Sequence, residues 1–263
     1  MLIHGLGGCW RNWLENIPAL SLDRRVVALD LPGFGDSEMP VEDISISGYA
    51  RVVDRLCERL GLGPVAVTGN SMGGFVAAEL AVTFPERVER LVLVDAAGTV
   101  PAARDRRRSV AVLELTGFLG ARLAASYRTV AARPRLRRLA LGMVAYRPEK
   151  LNPDLVLEGL LTPVTPAYRQ ALHATLGYLS RDWTERLRTV GAPTLVVWGD
   201  RDAIIPVVLG EEYVRLIPGA RSLVLADTGH IPMVERPRTF NRSLLDFLEA
   251  PGALPGTGRV APD

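Results

Sequence analysis

The segment Gly69-Asn70-Ser71-Met72-Gly73-Gly74 constrains this chain more than any other stretch. It stands directly between a continuous apolar run, Val65-Ala66-Val67-Thr68, and an amphipathic helical pattern from Gly73 to Phe84. A serine at the apex of so sharp a strand-to-helix turn needs neighbours without side chains, which Gly69 and Gly73 supply. The helix N-terminus beneath it offers backbone N–H groups to a developing negative charge. A serine hydroxyl is a poor nucleophile near neutral pH, so a chain that uses this turn chemically also needs a base and a carboxylate to orient that base.

Other apolar runs are equally continuous: Val26 to Asp30, Leu91 to Val94, Thr194 to Trp198 and Ser222 to Leu225. Runs without alternation predict strands buried on both faces, as in a parallel sheet. Between them lie helical patterns, Tyr49 to Leu60 closed by Gly61, Gly73 to Phe84 closed by Pro85, and Glu211 to Leu216 closed by Pro218. The alternation predicts an α/β fold with right-handed crossovers and a mostly parallel, doubly wound sheet, ligands binding at the carboxyl ends of its strands. From residue 98 to 185 the strand rhythm stops, and the stretch reads as helices broken at Pro134, Pro148, Pro153 and Pro163. The expected organisation is one core, residues 1–97 and 186–250, a helical cap over 98–185, and a disordered Pro- and Gly-rich tail over 251–263.

Three histidines are available as the base. His230 follows the last predicted strand and so reaches the strand ends where the serine turn sits; His4 is expected to brace the first glycine loop, and His173 falls in the insertion. Asp202, just beyond the preceding strand, is the expected acid, in the chain order Ser71, Asp202, His230. Asp200 is expected to shape its turn, and Asp95, after the Leu91 to Val94 strand, is the alternative acid. Two backbone amides are needed for an oxyanion, and Met72 and Leu6 are the expected donors, with Gly7 in reserve. The glycine loops Gly5 to Gly8 and Gly33 to Gly35 lack both phosphate-binding patterns, which excludes a nucleotide site of those kinds.

The 31 Lys and Arg nearly balance 29 Asp and Glu, but residues 98–185 hold 14 of the former against seven of the latter. The residues Arg104, Arg106, Arg107, Arg108, Arg133, Arg135, Arg137 and Arg138 read as a solvated helix face. Aromatic residues are too sparse there for base stacking, so no nucleic acid partner is expected. No apolar run is long enough for a membrane span and the first residues lack a signal-peptide pattern, so an intramembrane position and export are not expected; a cytoplasmic protein is. Cys9 and Cys57 form no metal or disulfide pattern, Cys57 falling on an apolar helix face. Neither metal nor cofactor is required by this chemistry.

With His4-Gly5, Asp30-Leu31-Pro32-Gly33-Phe34-Gly35-Asp36-Ser37, the Ser71 turn, Asp202 and Gly229-His230 in order, the chain resembles the capped α/β-hydrolase superfamily. The resemblance implies a cap between the sixth and seventh family strands, a small-molecule ester or related carbonyl substrate, and no cofactor. Serine at position 71 separates the chain from epoxide hydrolases and haloalkane dehalogenases, which carry aspartate there. It implies an esterase first. Alternatives are a C–C bond hydrolase of ring-cleavage products, which the serine turn resembles, an acyltransferase, or a non-catalytic binding protein. Against C–C cleavage stand Gly7-Gly8-Cys9 in place of Gly-Pro-Gly and Ile231 in place of tryptophan. Asn70, Gly7 and Ile231 are the expected substrate contacts. Family members carry two strands and most of a third before His-Gly, whereas here three residues precede His4, so an interior strand is expected to be short.

Overall fold

The computed structural model describes residues 1–99, 124–161, 165–250 and 258–260, with isolated positions between 110 and 122. Seven parallel strands form one sheet: β1 Leu2–Ile3, β2 Ala28–Leu29, β3 Val65–Asn70, β4 Val88–Val94, β5 Thr194–Gly199, β6 Arg221–Leu225 and β7 Gly258–Val260. Their spatial order is β2-β1-β3-β4-β5-β6-β7. The order reverses after β2, so the crevice at the strand ends opens between β1 and β3. The short interior strand β1 pairs on both sides, Leu2 opposite Ala28 and Thr68.

The continuous apolar runs follow from this burial. In β4, Leu91 and Leu93 join the core on one face of the sheet while Val92 and Val94 join the core on the other. In β5, Val196 and Trp198 face the first core, Leu195 and Val197 the second. The first core is closed by α2 (Ile46–Arg59) and α3 (Met72–Thr83), which follow the short α1 (Ile17–Leu20). Helix α2 begins three residues ahead of the expected Tyr49, capped by Ser45, whose hydroxyl accepts a hydrogen bond from the Gly48 N–H at 3.0 Å. Cys57 is buried on α2 and unpaired, as expected. The expectation of an amphipathic helix after Ser71 is corrected: Met72 to Ala81 are buried without interruption, so α3 has no solvent stripe.

Between β4 and β5 the described insertion is helical: α4 Tyr127–Ala132, α5 Pro134–Leu141, α6 Pro153–Leu155, α7 Ala167–Tyr178 and α8 Arg181–Arg186. Pro134, Pro148 and Pro153 each stand at the start of a helix or 3-10 turn, where a missing N–H costs nothing. Pro163 and the arginines at 104 and 106–108 lie outside the described residues. Arg133, Arg135 and Arg138 are exposed, but Arg137 departs from the solvated-face reading. It is buried, and its guanidinium donates to the carbonyls of Ala131, Pro148 and Glu149, tying α5 to the loop that follows.

After β5 come α9 Val208–Leu216, α10 Pro232–Glu235 and α11 Pro237–Glu249, the last packing Phe240, Leu244 and Phe247 into the second core. The expected disordered tail is corrected at Gly258–Val260, which extend the sheet by pairing with Leu223 to Leu225 of β6; main-chain bonds form there without apolar periodicity. The rest of the tail lies outside the described residues. Among the described residues no helix is long and apolar enough to cross a membrane.

A β-carbon at Gly73 would fall on the carbonyl oxygens of Ile3 and His4, both main-chain atoms of the adjacent interior strand and loop. Gly73→Ala should therefore destabilise the fold by about 1–3 kcal/mol or more in urea unfolding. Gly191→Ala, at an exposed site with nothing within 4 Å, should stay within about 0.5 kcal/mol of the parent. Equal stability of the two variants would remove the packing constraint.

Candidate active site

Ser71 sits between β3 and α3 with φ 55° and ψ −119°, a conformation rarely adopted by a side chain other than glycine. The turn is over-determined. The Ser71 N–H donates to the Val94 carbonyl at 2.9 Å, and its carbonyl accepts from the amides of Phe75 at 3.2 Å and Ala97 at 3.0 Å. Gly69 lies against the backbone of Gly73 and Gly74, so closely that a β-carbon there would overlap the Gly73 carbonyl.

His230 is buried, and its Nδ1 faces Asp202 Oδ2 at 2.7 Å. A carboxylate can only accept, so Nδ1 carries hydrogen and Nε2 is the nitrogen available as a base. The Asp202 side chain is itself fully enclosed, its Oδ1 accepting from the amides of Ile204 at 2.7 Å and Ile205 at 2.9 Å. Asp200 shapes the turn beside it, accepting from the Thr228 N–H at 3.4 Å. Asp95, Asp202 and His230 each present a potential metal donor within 4.8 Å of the others. Asp202 and the His230 Nδ1 are engaged with each other, and Asp202 also with two main-chain amides.

The first glycine loop is braced by His4. Its Nε2 accepts from the Leu31 N–H at 3.0 Å, which leaves hydrogen on Nδ1 to donate to the Gly5 carbonyl at 2.8 Å. Burial holds the ring below the usual histidine range, in keeping with a neutral tautomer that both donates and accepts. The Asp30 carboxylate organises the second loop, accepting from the Trp10 N–H at 2.6 Å and the Asp36 N–H at 2.9 Å. Leu6, Ser71 and Met72 line one apolar cavity together with Ala97, Gly98 and Thr99 from the loop after β4 and Leu172, Thr175, Leu176 and Leu179 of α7. Ile204, Ile205 and Leu209 complete it. Met72 is the first residue of α3, where a helix amide has no intrahelical acceptor.

The sequence profile of the alpha/beta hydrolase fold matches residues 1–237. The chain belongs to the α/β-hydrolase family. It is 35% identical, over 94% of its length, to a dihydrolipoyllysine-residue acetyltransferase component of an acetoin cleaving system from Pseudomonas putida, of which it spans 62%. It is 31% identical over 94% of its length to a 2-hydroxy-6-oxononadienedioate/2-hydroxy-6-oxononatrienedioate hydrolase from Paraburkholderia phymatum, spanning 86% of that protein. A thermophilic esterase from Thermogutta terrifontis has a similar structure, with a TM-score of 0.70 and 26% identity over 94% of this chain and 88% of the other.

In this chain the three expected substrate contacts stand apart from the described lining of the cavity. Asn70 is buried and its Nδ2 donates to the carbonyls of Val94 at 3.2 Å and His230 at 3.1 Å, so it braces the histidine loop instead of facing the cavity. Ile231 is buried in the second core. Gly7, at φ 72°, lies under the Tyr168 ring of α7, and a β-carbon there would come within 2.9 Å of it. None of the three lines the cavity. His173 is exposed on α7.

Two acids escaped the sequence reading. Glu79 of α3 accepts from the Tyr178 hydroxyl at 2.9 Å and lies 3.6 Å from the Arg186 guanidinium, joining the helix beneath Ser71 to α7 and α8. Glu235 accepts from the Gly229 N–H and the Tyr146 N–H, both at 2.8 Å, while the His230 N–H donates to the Val144 carbonyl at 2.9 Å. The histidine loop is thus stitched to residues 144–146 of the insertion. Neither acid stands in a motif, because each partner is remote in sequence; the only signal is a carboxylate inside an otherwise apolar helical stretch.

Burial pushes the Glu235 carboxyl up to about 7, with the Asp202 charge adding and the main-chain N–H groups opposing. A carboxyl raised on folding binds its proton more tightly in the folded state, so its stabilising effect is complete below the unfolded value of 4.5 and is lost as pH rises toward 7. Urea unfolding across this range should show wild-type stability falling more steeply with pH than that of Glu235→Gln, which does not titrate. Identical slopes would exclude Glu235 as the titrating group.

Proposed function

We propose that this hydrolase cleaves carboxylic esters of small to medium, largely apolar acyl groups through an acyl-enzyme intermediate on Ser71. The observation that carries the reading is the 2.7 Å pairing of a buried His230 with an enclosed Asp202, at the same strand ends as the strained serine turn. Ser71 Oγ attacks the acyl carbonyl as its proton passes to His230 Nε2, and Asp202 stabilises the imidazolium that forms. The Leu6 and Met72 amides receive the negative charge of the tetrahedral intermediate. His230 then returns the proton to the departing alcohol, and water, activated by the same nitrogen, releases the acid.

The cavity favours esters over the dienedioates named for the Paraburkholderia relative. Its described lining is apolar apart from Ser71, Thr99 and Thr175, and holds no Arg or Lys to receive a substrate carboxylate. An unpaired carboxylate would lose its hydration there without compensation. The similarity to an acetyltransferase component supports acyl transfer to a hydroxyl or thiol as the second reading, since it shares the acyl-enzyme and differs only in the acceptor.

Hydrolysis of p-nitrophenyl esters from acetyl to lauroyl, by the protein and by Ser71→Ala, tests this directly. Turnover should rise and then fall along the series, and the variant should lose about 10⁴-fold or more in kcat. Ser71-independent turnover would overturn the mechanism. Bleaching of a coloured ring-cleavage dienol without ester turnover would move the assignment to C–C cleavage.

A further inference from the structure

Asp95 follows β4 and is completely buried, with a backbone φ of 42° that a non-glycine residue adopts only under constraint. Its Oδ1 accepts from the Gly199 N–H at 2.9 Å, and its N–H donates to the Val197 carbonyl at 2.9 Å. Its Oδ2 is enclosed and, among the described residues, receives no hydrogen bond. Another carboxylate is close by: one oxygen of Asp95, one of Asp202 and a ring nitrogen of His230 lie within 4.8 Å of one another. Two buried carboxylates this close cannot both be charged at reasonable cost, and an ionised oxygen without a donor compounds the penalty.

A proton on Asp95 resolves both problems. The orphan oxygen becomes a hydroxyl, which needs an acceptor instead of a donor, and Asp202 is that acceptor. The alternative placement is worse, because both Asp202 oxygens already receive donors, Oδ1 the Ile204 and Ile205 amides and Oδ2 the His230 Nδ1–H. Burial and the Asp202 charge both hold the Asp95 carboxyl well above the usual carboxylate range, with the Glu235 charge adding to them.

We propose that Asp95 is a neutral carboxylic acid that donates a hydrogen bond to the Asp202 carboxylate, making it a positioning residue for the Ser71, Asp202, His230 relay. The relay acid is then held on every side, by two amides, one imidazole and one carboxyl. This deepens the ester-hydrolase reading and rests on Asp202 acting as the relay acid.

Two variants and one spectrum test it. In Asp95→Asn the amide carbonyl can still accept from Gly199 and the amide N–H can still donate to Asp202, so kcat on the best p-nitrophenyl ester should stay within about threefold of the parent. In Asp95→Ala both partners are left unmatched, and kcat should fall about ten- to hundredfold with KM little changed. Thermal unfolding of both variants establishes that each is folded before rates are compared. The infrared difference spectrum between the parent and Asp95→Asn, recorded at mildly alkaline pH so that Glu235 is ionised, should contain the carbonyl stretch of one protonated carboxyl. That band requires no turnover and should persist in Ser71→Ala, so a failure of the ester reading leaves it in place. Absence of the band, or equal losses of kcat in Asp95→Asn and Asp95→Ala, would overturn the assignment of Asp95.

Discussion

The close approach of main chain to main chain beneath Ser71 is the constraint on which the rest of the site depends. Gly69 rests on the Gly73 backbone and Gly73 on the carbonyls of Ile3 and His4, so two neighbouring strands and the start of a helix meet without intervening side chains. Only with those elements in contact can α3 begin directly under the serine. The strained dihedral of Ser71 is held by hydrogen bonds from both of its peptide groups, and the local cost is met by burial of almost the whole of α3.

A second theme is that buried polar side chains around the site are matched chiefly to backbone. His4 spans the Leu31 amide and the Gly5 carbonyl, Asn70 the Val94 and His230 carbonyls, Asp202 two amides of its own loop, and Glu235 one amide on each side of the core boundary. Loops fixed in this way are rigid without being internally packed, which suits residues that must keep their geometry while a substrate enters and leaves.

The sequence made the sheet legible because a strand segment buried on both faces needs consecutive apolar residues, as in Leu91 to Val94 of β4 and Leu195 to Trp198 of β5. It made Ser71, Asp202 and His230 legible because glycines and strand ends mark where each must stand. It left β7 unread, since main-chain pairing at a sheet edge requires no side-chain pattern. The parts Asn70, Glu79 and Glu235 play were also hidden, because a polar residue whose partners lie up to 160 positions away carries no local signature. Asp95 was visible as a possible acid, but its orphaned oxygen exists only in three dimensions.

The stitch between the histidine loop and residues 144–146 rests on backbone atoms of the insertion at both points, the Val144 carbonyl and the Tyr146 amide. The Val144 and Tyr146 side chains take no part in either bond, so the anchoring of the imidazole's loop is written in the course of the main chain and not in the identity of the residues that supply it.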